Sequence, residues 1–569
     1  MKIMPLSLVA VLVTGLFLFS AMNLQTVPSV YAAVPTGTLT GTVQTLTAGT
    51  NAAINTLTVT DVSPAEITAA HNIRIKIPDA ANFIWDTADT TPTFGGTASG
   101  KVAAAVIYLD SRTLHIDVTT DFANNDTLTV SDISYVPLAA TSATALTWSI
   151  DSGANYDTGN ANTSVTVNAA NASAAISLAN ATVGAVQNTT LTLFLPTDLA
   201  SGDTITWTMP NNIEVAGTAF VSTTFKQSDG ATTATFSGCS ESGQLITCTS
   251  SSTVDNTSGN IYMSGMSAIY DAAITNEVTD LAVHDTSAGG ADIATDTDVD
   301  VTDTTAADAG AYLTLGGNSV VGATGNSTLT ITVPVDMANA DTISFDAPAN
   351  LQVSGVAFVS KTFTGAGTFS SCSAVGQTVT CTANGVITAG TGNIVMNGGM
   401  SRYAATGQTI TNIVITDTSA GANTASDDFG TVTPTTPANA NASVVQANPT
   451  VGAVGSTTLD LTLPFAMDAD DTIDITFPAS FDVSNIGSAV TGTFESSANI
   501  TCVPFAQVVT CTAHGSTMAS GTIIMTGITT LYADTTNVTN VEVENEGNTT
   551  EDIATDTSVA TTDIAAANA

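Results

Sequence analysis

The sequence predicts an all-β protein made of several β-sandwich domains in tandem. Short runs such as NIRIKIP, TLTVSDI and TNIVITD alternate apolar with polar residues, and clusters of Gly, Asn, Asp and Ser separate them. No segment after residue 33 shows a helical period. The length of 569 residues exceeds what one hydrophobic core organises. Many short strands at even spacing are typical of sandwiches.

The cysteine spacing reveals an internal repeat. The six cysteines form three pairs with eight residues inside each pair, and corresponding cysteines recur after 133 and 130 residues. A fixed period of this kind indicates homologous units. We therefore predict a divergent β-sandwich, the N-terminal domain, over residues 33–170. Three sandwich repeats follow, named repeat 1 (171–308), repeat 2 (309–440) and repeat 3 (441–569).

The amino terminus has the pattern of an export signal. Lys2 precedes the apolar run LSLVAVLVTGLFLFSAM, and Val30 and Ala32 occupy the positions that signal peptidase favours. We predict a signal peptide over residues 1–32, cleaved after Ala32. The run is also long enough for an uncleaved membrane anchor. Export places the mature chain outside the cell, without a transmembrane segment, where cysteines form disulfides.

Each cysteine pair is predicted to staple a β-hairpin. Equal counting from both cysteines places Gly243-Gln244, Gly376-Gln377 and Ala506-Gln507 at a two-residue turn whose first position needs positive φ. Glycine satisfies this in two copies, so we expect a distorted or longer third turn. A zinc site is the rival interpretation, but no histidine accompanies all the pairs. The predicted disulfides join Cys239 with Cys248, Cys372 with Cys381, and Cys502 with Cys511.

A second motif recurs four times and predicts a strand, an acidic loop and another strand. The repeats carry TLTLFLPTDLASGDT, TLTITVPVDMANADT and TLDLTLPFAMDADDT, and the N-terminal domain carries TLHIDVTTDFANNDT. An aspartate follows the first threonine by thirteen residues in each copy: Asp203, Asp341, Asp471 and Asp126. A tyrosine also keeps the repeat period, and we interpret it as a buried loop brace: Tyr270, Tyr403 and Tyr532.

Charge and motif content exclude several function classes. The chain has 8 basic and 49 acidic residues, a formal net charge of −41, whereas nucleic-acid and anionic-membrane binding need basic surfaces. No GxSxG, HExxH or phosphate-loop motif is present, and we predict no enzymatic activity.

One acidic stretch, DIATDTDVDVTDTTAAD, suggests calcium. Alternate aspartates in an extended chain point to one side, and hard oxygen ligands from two adjoining domains suit Ca²⁺. A solvated acidic linker is the alternative. The candidate calcium ligands are Asp292, Asp296, Asp298, Asp300 and Asp303.

Together, the motifs TLTLxLP, DTIxxxxP, a C(8)C pair with VTCT, and an IxMxG strand resemble the immunoglobulin-like repeats of prokaryotic cell-surface and S-layer-type proteins. The resemblance covers residues 172–569 and implies surface lattices, fibres or stalks. The resemblance implies an exported structural protein that associates with other copies of itself, with other surface proteins or with glycans. A terminal strand at 557–564 could pair with the next subunit.

The alternative is an adhesin or a carbohydrate- or protein-binding module. Its specificity would lie in the N-terminal domain, which holds the aromatic and basic residues suited to ligand contact: Trp85, Trp148, Lys76, Lys101 and Arg112.

Overall fold

The computed structural model describes residues 37–567, except 63, 151–152, 154, 159–160, 273–277, 488–489, 495–499, 516 and 546–551. The predicted signal peptide lies outside these residues. The chain divides into two compact units, residues 1–169 and 170–569. Throughout the described ranges the regular elements are strands and three short 3₁₀ turns, Ser99–Lys101, Ala161–Thr163 and Gly316–Ser319. The all-β prediction is confirmed. Those ranges contain no helix long and apolar enough to cross a membrane.

The N-terminal domain consists of four small sheets. In spatial order, the strands of its sheets are Thr38–Thr40, Leu57–Thr60, Thr127–Ser131 and Thr93–Gly95; Ala52–Ala53, Ser134–Pro137 and Phe83–Trp85; Thr141–Ala145, Ser164–Asn168 and Gln44–Thr47; and Asp157–Thr158, Thr147–Ser149, Ile73–Lys76, Thr113–Ile116 and Ile107–Asp110.

Repeats 1 and 3 share one sandwich topology. In repeat 1 the sheets run Ala170–Asn171, Ala291–Asp296, Leu281–Asp285, Thr204–Thr208, Leu245–Ser250, Phe236–Ser242; and Ile213–Glu214, Ser258–Ala268, Val186–Phe194, Ala174–Leu178, Asp300–Val301, with Ala219–Thr223 beside Ser258–Ala268. In repeat 3 they run Ala438–Asn439, Asp552–Asp556, Asn540–Glu544, Thr472–Thr476, Val508–Ala513, Ile500–Phe505; and Phe481–Asp482, Ser520–Thr530, Val454–Thr462, Ser443–Gln446, Ala560–Thr561, with Thr491–Gly492 beside Ser520–Thr530.

Repeat 2 has the same strand neighbours, but its two layers join into one ten-stranded sheet. The cause is the unbroken strand Ala422–Val432, which pairs with Thr409–Asp417 in one layer and with Tyr312–Thr314 in the other. The sheet order is Ala357–Lys361, Gly390–Asn397, Ser327–Val333, Tyr312–Thr314, Ala422–Val432, Thr409–Asp417, Thr342–Asp346, Thr378–Asn384 and Thr368–Val375, with Ala307–Asp308 beside Ala422–Val432 and a separate pair Leu351–Gln352 and Met400–Ser401.

Apolar side chains of each repeat are buried between its layers. Strand burial alternates, as in Thr204–Thr208 around buried Ile205 and Trp207. This period-2 pattern turns every second side chain inward. The terminal segment predicted to pair with another subunit is also used internally, because Ala560–Thr561 pairs with Ser443–Gln446 and Ile564 is buried. It is therefore not a free strand.

The three cysteine pairs form disulfides across hairpins. Cys239 lies opposite Cys248, Cys372 opposite Cys381 and Cys502 opposite Cys511, with Cα–Cα distances of 4.0, 4.0 and 3.9 Å. This close approach is that of a non-hydrogen-bonded antiparallel pair. Each disulfide ties the outermost strand of its sheet to the strand inside it.

All three turns contain two residues, so the expectation of a distorted or longer third turn is wrong. Gly243 and Gly376 have φ of 62°, and Ala506 has φ of 54°. Phe505 still pairs with Val508, as Val375 pairs with Thr378. The hairpin therefore holds an alanine in the left-handed region instead of changing its length.

The shared-motif aspartates hold their loops together. The carboxylate of Asp203 accepts hydrogen bonds from Ala200 N (2.8 Å) and Thr286 N (3.0 Å). That of Asp341 accepts equivalent bonds from Ala338 N (2.7 Å) and Thr418 N (3.0 Å). Buried carboxylates at this position satisfy loop amides that the sheets leave unpaired.

In the N-terminal domain the same position is Asp126, which combines the loop bond with an ion pair. Its carboxylate accepts from Ala123 N and from Lys101 Nζ, both at 2.7 Å. The Lys101 hydrogen bond, followed by the Ala123 bond, lowers the pKa of Asp126 from 3.8 to about 2.

Ala506→Gly should raise the free energy of unfolding by about 1 kcal/mol, because the left-handed backbone costs an L-residue this much and costs glycine nothing. Gly376→Ala is the matched control and should lower stability by a similar amount, since a Cβ there meets no atom within 4 Å. Chemical denaturation checks both. Equal stability of all three proteins would contradict the assigned strain.

Asp126→Asn should lower the melting temperature at neutral pH. Because the folded pKa lies below the unfolded value, the carboxylate stabilises the fold above pH 3.8, and this stabilisation is lost as the pH falls through about 2. Melting curves from pH 7 downward should show the difference between wild type and variant closing over that window. A difference independent of pH would contradict the role of ionisation.

Candidate functional site: the junctions between repeats

The structure disperses the five aspartates predicted to bind calcium. Asp292 lies 2.7 Å from His284 Nδ1, and Asp296 is buried, accepting from Ala174 N and Asp298 N. Asp300 is an exposed member of a strand that pairs with Ala174–Leu178. Among the described residues these five do not form a group with ligand atoms within 4.8 Å of one another. Calcium binding at this stretch stays a prediction.

A carboxylate cluster that the sequence analysis missed lies in repeat 3. Ligand oxygens of Glu542, Glu544 and Asp552 are all within 4.8 Å of one another, and Asp474 lies opposite Glu542 on the neighbouring strand. Partial burial, then the hydrogen bond with Asp552 and the charges of Asp552 and Asp474, raise the pKa of Glu542. Burial and the charges of Asp474 and Glu542 likewise raise the pKa of Glu544.

The equivalent positions in the other repeats carry fewer carboxylates. In repeat 1, Thr206 Oγ1 lies 2.8 Å from His284 Nε2, and in repeat 2, Thr416 Oγ1 donates to Asn423 Oδ1 at 3.3 Å. The alternating acids of VEVEN were the available sequence signal, but only the sheet register shows that Asp474 and Asp552 join them.

Contacts between repeats 1 and 2 recur between repeats 2 and 3. A Cβ on Gly184 would lie 2.6 Å from the Pro334 carbonyl oxygen, and a Cβ on Gly322 would lie 2.1 Å from Pro464 Cβ. Both glycines have positive φ, 80° and 75°. Both prolines, Pro334 and Pro464, lie in the acidic-loop motif of the following repeat. The junctions thus require glycine for conformation and for close approach.

A backbone hydrogen bond accompanies each glycine contact. Asp271 N donates to Asn423 O at 2.7 Å in the first junction, and Ala404 N donates to Asp552 O at 2.8 Å in the second. Both donors directly follow the periodic tyrosines, Tyr270 and Tyr403. The tyrosine segment of one repeat therefore contacts the same strand of the next repeat at both junctions.

The second junction also contains apolar and charged contacts. Val321 of repeat 2 is 1% exposed and belongs to the core cluster of repeat 3, against which Tyr403 also packs. Arg402 pairs with Asp468 of repeat 3, and its guanidinium carbon lies 5.5 Å from the Phe465 ring centroid. Repeats 2 and 3 therefore share part of one core.

The first junction encloses an acidic cleft of about 570 Å³. Glu214 of repeat 1 and Asp336 and Asp417 of repeat 2 line it, beside Gly184 and Ile269. Ile269 precedes Tyr270 as Arg402 precedes Tyr403, so the first junction lacks the ion pair of the second.

The periodic tyrosines are not buried braces in every repeat. Tyr270 and Tyr403 are partly buried at the junctions, whereas Tyr532 is exposed, at 49%. The interpretation is wrong for Tyr532, whereas Tyr403 packs against the core of repeat 3.

No protein-family model and no curated protein matches this chain. Solved structures that match include the C-terminal domain of the Streptococcus pyogenes antigen I/II-family protein AspA, with 10% identity, TM-score 0.18, and coverage of 44% of this chain and 93% of that one. The Escherichia coli adhesin FdeC matches with 16% identity, TM-score 0.14, and coverage of 70% and 96%. Surface layer protein SbsC, domains 4–9, matches with 13% identity, TM-score 0.16, and coverage of 94% and 84%.

These matches name an adhesin and a surface layer protein.

Glu542→Gln should stabilise the protein at pH 7 by about 0.5 kcal/mol, the usual scale of a cross-strand charge pair. Because the folded pKa is raised above the unfolded value of 4.5, the destabilisation develops as pH rises from 4.5 through the folded pKa, and it is absent at lower pH. Asp460→Asn, at an exposed position on the other sheet of repeat 3, is the control. A less stable Gln variant at pH 7 would contradict the repulsion.

Proposed function

We propose that this chain is an exported cell-surface structural protein whose three repeats act as one stiff segment. The observation that carries the proposal is continuous strand pairing through both boundaries. Thr305 pairs with Thr182 of repeat 1, and Ala307 already pairs with Ala425 of repeat 2. Only Ala306 lies between the two pairings.

The next boundary is built in the same way. Thr436 pairs with Val320 of repeat 2, and Ala438 pairs with Ala554 of repeat 3, so Pro437 alone separates them. Domains joined by flexible linkers reorient freely unless a substantial interface holds them. One intervening residue, combined with the glycine contacts and the shared core around Val321, removes that freedom. A segment fixed in this way suits a lattice, fibre or stalk.

Chemical features agree with a structural role outside the cell. Three disulfides account for every cysteine and suit an oxidising compartment. The shared-motif aspartates Asp203 and Asp341 accept hydrogen bonds from loop amides of their own repeats, which is a structural role and not a catalytic one. Partners in this proposal are other copies of the chain, surface proteins or glycans.

The adhesin alternative receives less support from the residues on which it depended. Trp85 and Trp148 are each 1% exposed, so their rings are core residues. Lys101 pairs with Asp126, and Arg112 donates to the Pro78 and Phe83 carbonyls. Lys76 pairs with Asp79. These side chains serve the N-terminal domain itself, so a structural role accounts for them better than ligand contact does.

Spin labels at Val186 and Val454 test stiffness by electron–electron distance measurement. The two positions are equivalent in repeats 1 and 3, with exposures of 77% and 69%. We expect one narrow distance distribution, because strand pairing fixes both junctions. A broad distribution in the otherwise unchanged protein would contradict the proposal.

Gly184→Ala and Gly322→Ala should broaden that distribution, since the new Cβ would press on the proline loop of the next repeat. Gly452→Ala is the matched control: its φ is 79°, but a Cβ there meets nothing within 4 Å. The free energy of unfolding of the control should fall by about 1–2 kcal/mol, the cost of placing a residue with a side chain in the left-handed region. That of the junction variants should fall by about 1–3 kcal/mol more, because the new Cβ overpacks the junction. Equal losses would show that the glycine contacts do not hold the junctions.

A further inference from the structure

The cleft at the first junction lies where two side chains contact each other at the second junction. Ile269 of repeat 1 and Val335 of repeat 2 both line this cleft of about 570 Å³. Their equivalents at the second junction are Arg402, which precedes the periodic tyrosine, and Phe465, which follows the loop proline. The Arg402 guanidinium carbon lies 5.5 Å from the Phe465 ring centroid. The first junction therefore has smaller side chains where the second has an arginine against an aromatic ring.

The charges of the two junctions differ in the same region. Glu214, Asp336 and Asp417 line the cleft. The aligned motifs and strand registers give their neutral counterparts at the second junction as Gln352, Ala466 and Asn545. The second junction thus contains an internal cation paired with Asp468. The first junction has three further carboxylates and an isoleucine in place of the cation.

Within the described ranges, no lysine or arginine pairs with these three carboxylates. The Glu214 carboxylate has no hydrogen-bond or ion-pair partner there, and Asp336 accepts one backbone amide at 2.7 Å. Asp417 accepts from Ser419 N at 2.8 Å and from Ala420 N at 3.0 Å. Burial opposes the ionisation of Asp417, but the hydrogen bonds from Ser419 and Ala420 lower its pKa, so it is charged at neutral pH. Like charges around one cleft repel, and a bound cation offsets this repulsion.

The lining of the cleft indicates an organic cation with an apolar stem. Cavities of about 300–1,000 Å³ hold small ligands. Ile269, Val335 and Met337 provide apolar surface beside the carboxylates. Arginine and lysine pack their aliphatic stems on such surface and keep the charged end with polar groups. Among the described residues, the carboxylates of the cleft do not form a group of three with ligand oxygens within 4.8 Å, so they do not converge on one metal ion.

We propose that the cleft binds an arginine side chain of a partner protein, whose guanidinium group lies among Glu214, Asp336 and Asp417. Arg402 is the template, because it occupies the equivalent place at the second junction. A different protein is a better source of the arginine than a second copy, since this chain has 8 basic and 49 acidic residues. The inference deepens the proposed function and rests on it, because only a fixed junction keeps carboxylates of two repeats in one cleft.

The test is isothermal titration calorimetry of residues 33–569 at low ionic strength. The probe is a blocked tripeptide with a central arginine, and the control ligand is the same peptide with uncharged citrulline. Glu214→Gln combined with Asp336→Asn removes two charges from the cleft. Asp460→Asn combined with Asp563→Asn removes two charges from exposed positions of repeat 3, so the two double variants have the same net charge.

We expect the arginine peptide to bind wild type and the repeat 3 variant equally, and the citrulline peptide not to bind. Binding should weaken about tenfold in the cleft variant, because each exposed charge pair contributes up to about fivefold. Ile269→Arg should abolish peptide binding, since it restores the arginine of the second junction. Melting temperatures no lower than that of wild type confirm that the variants fold.

Absence of binding to wild type, equal binding of both peptides, or equal losses in the two double variants would overturn the inference. Spermidine and Ca²⁺ are titrated in parallel as free cations. Tighter binding of either one through Glu214 and Asp336 would show that the occupant is not a protein side chain and would also overturn it. The spin-label distances between repeats 1 and 3 are measured on the same protein. A narrow distribution without peptide binding would leave the stiff segment standing and remove only the arginine site.

Discussion

Continuous strand pairing across the repeat boundaries is the constraint on which the C-terminal unit depends. A single residue, Ala306 or Pro437, separates the strand pairing in one repeat from the strand pairing in the next. The position of the following sandwich is therefore tightly restricted. Its acidic loop is thereby brought against the glycine of the preceding repeat, where a side chain would not fit. The junction contacts are consequences of this short connection, and the burial of Val321 in the next core adds apolar stabilisation.

The same architecture limits where copies can associate. Disulfides hold the outermost strands of the stapled sheets, and in repeat 3 that strand contains Pro504 opposite Val509. Proline removes a backbone donor from a strand and is tolerated where that donor would face an open edge. Sheet edges of this kind resist lateral pairing.

Sequence patterns specified the local structure well. Cysteine spacing predicted hairpins with two-residue turns, because register follows from counting outward from a turn. It failed at Ala506, since positive φ was expected to require glycine or a longer turn, whereas the stapled hairpin imposes that conformation on alanine. The four-fold motif predicted the acidic loops but not that Asp203 and Asp341 would bond amides on two segments.

By itself, the sequence determined the β class, the repeat period, the staples and the acidic loops, because alternation, turn chemistry and spacing are local properties. Tertiary structure decided which side chains meet. It separated the consecutive aspartates at 292–303 and gathered Asp474, Glu542, Glu544 and Asp552 from three strands, because register and not sequence distance sets proximity in a sheet. It also distinguished tyrosines at one repeat position, since Tyr403 packs against the core of repeat 3 whereas Tyr532 is 49% exposed.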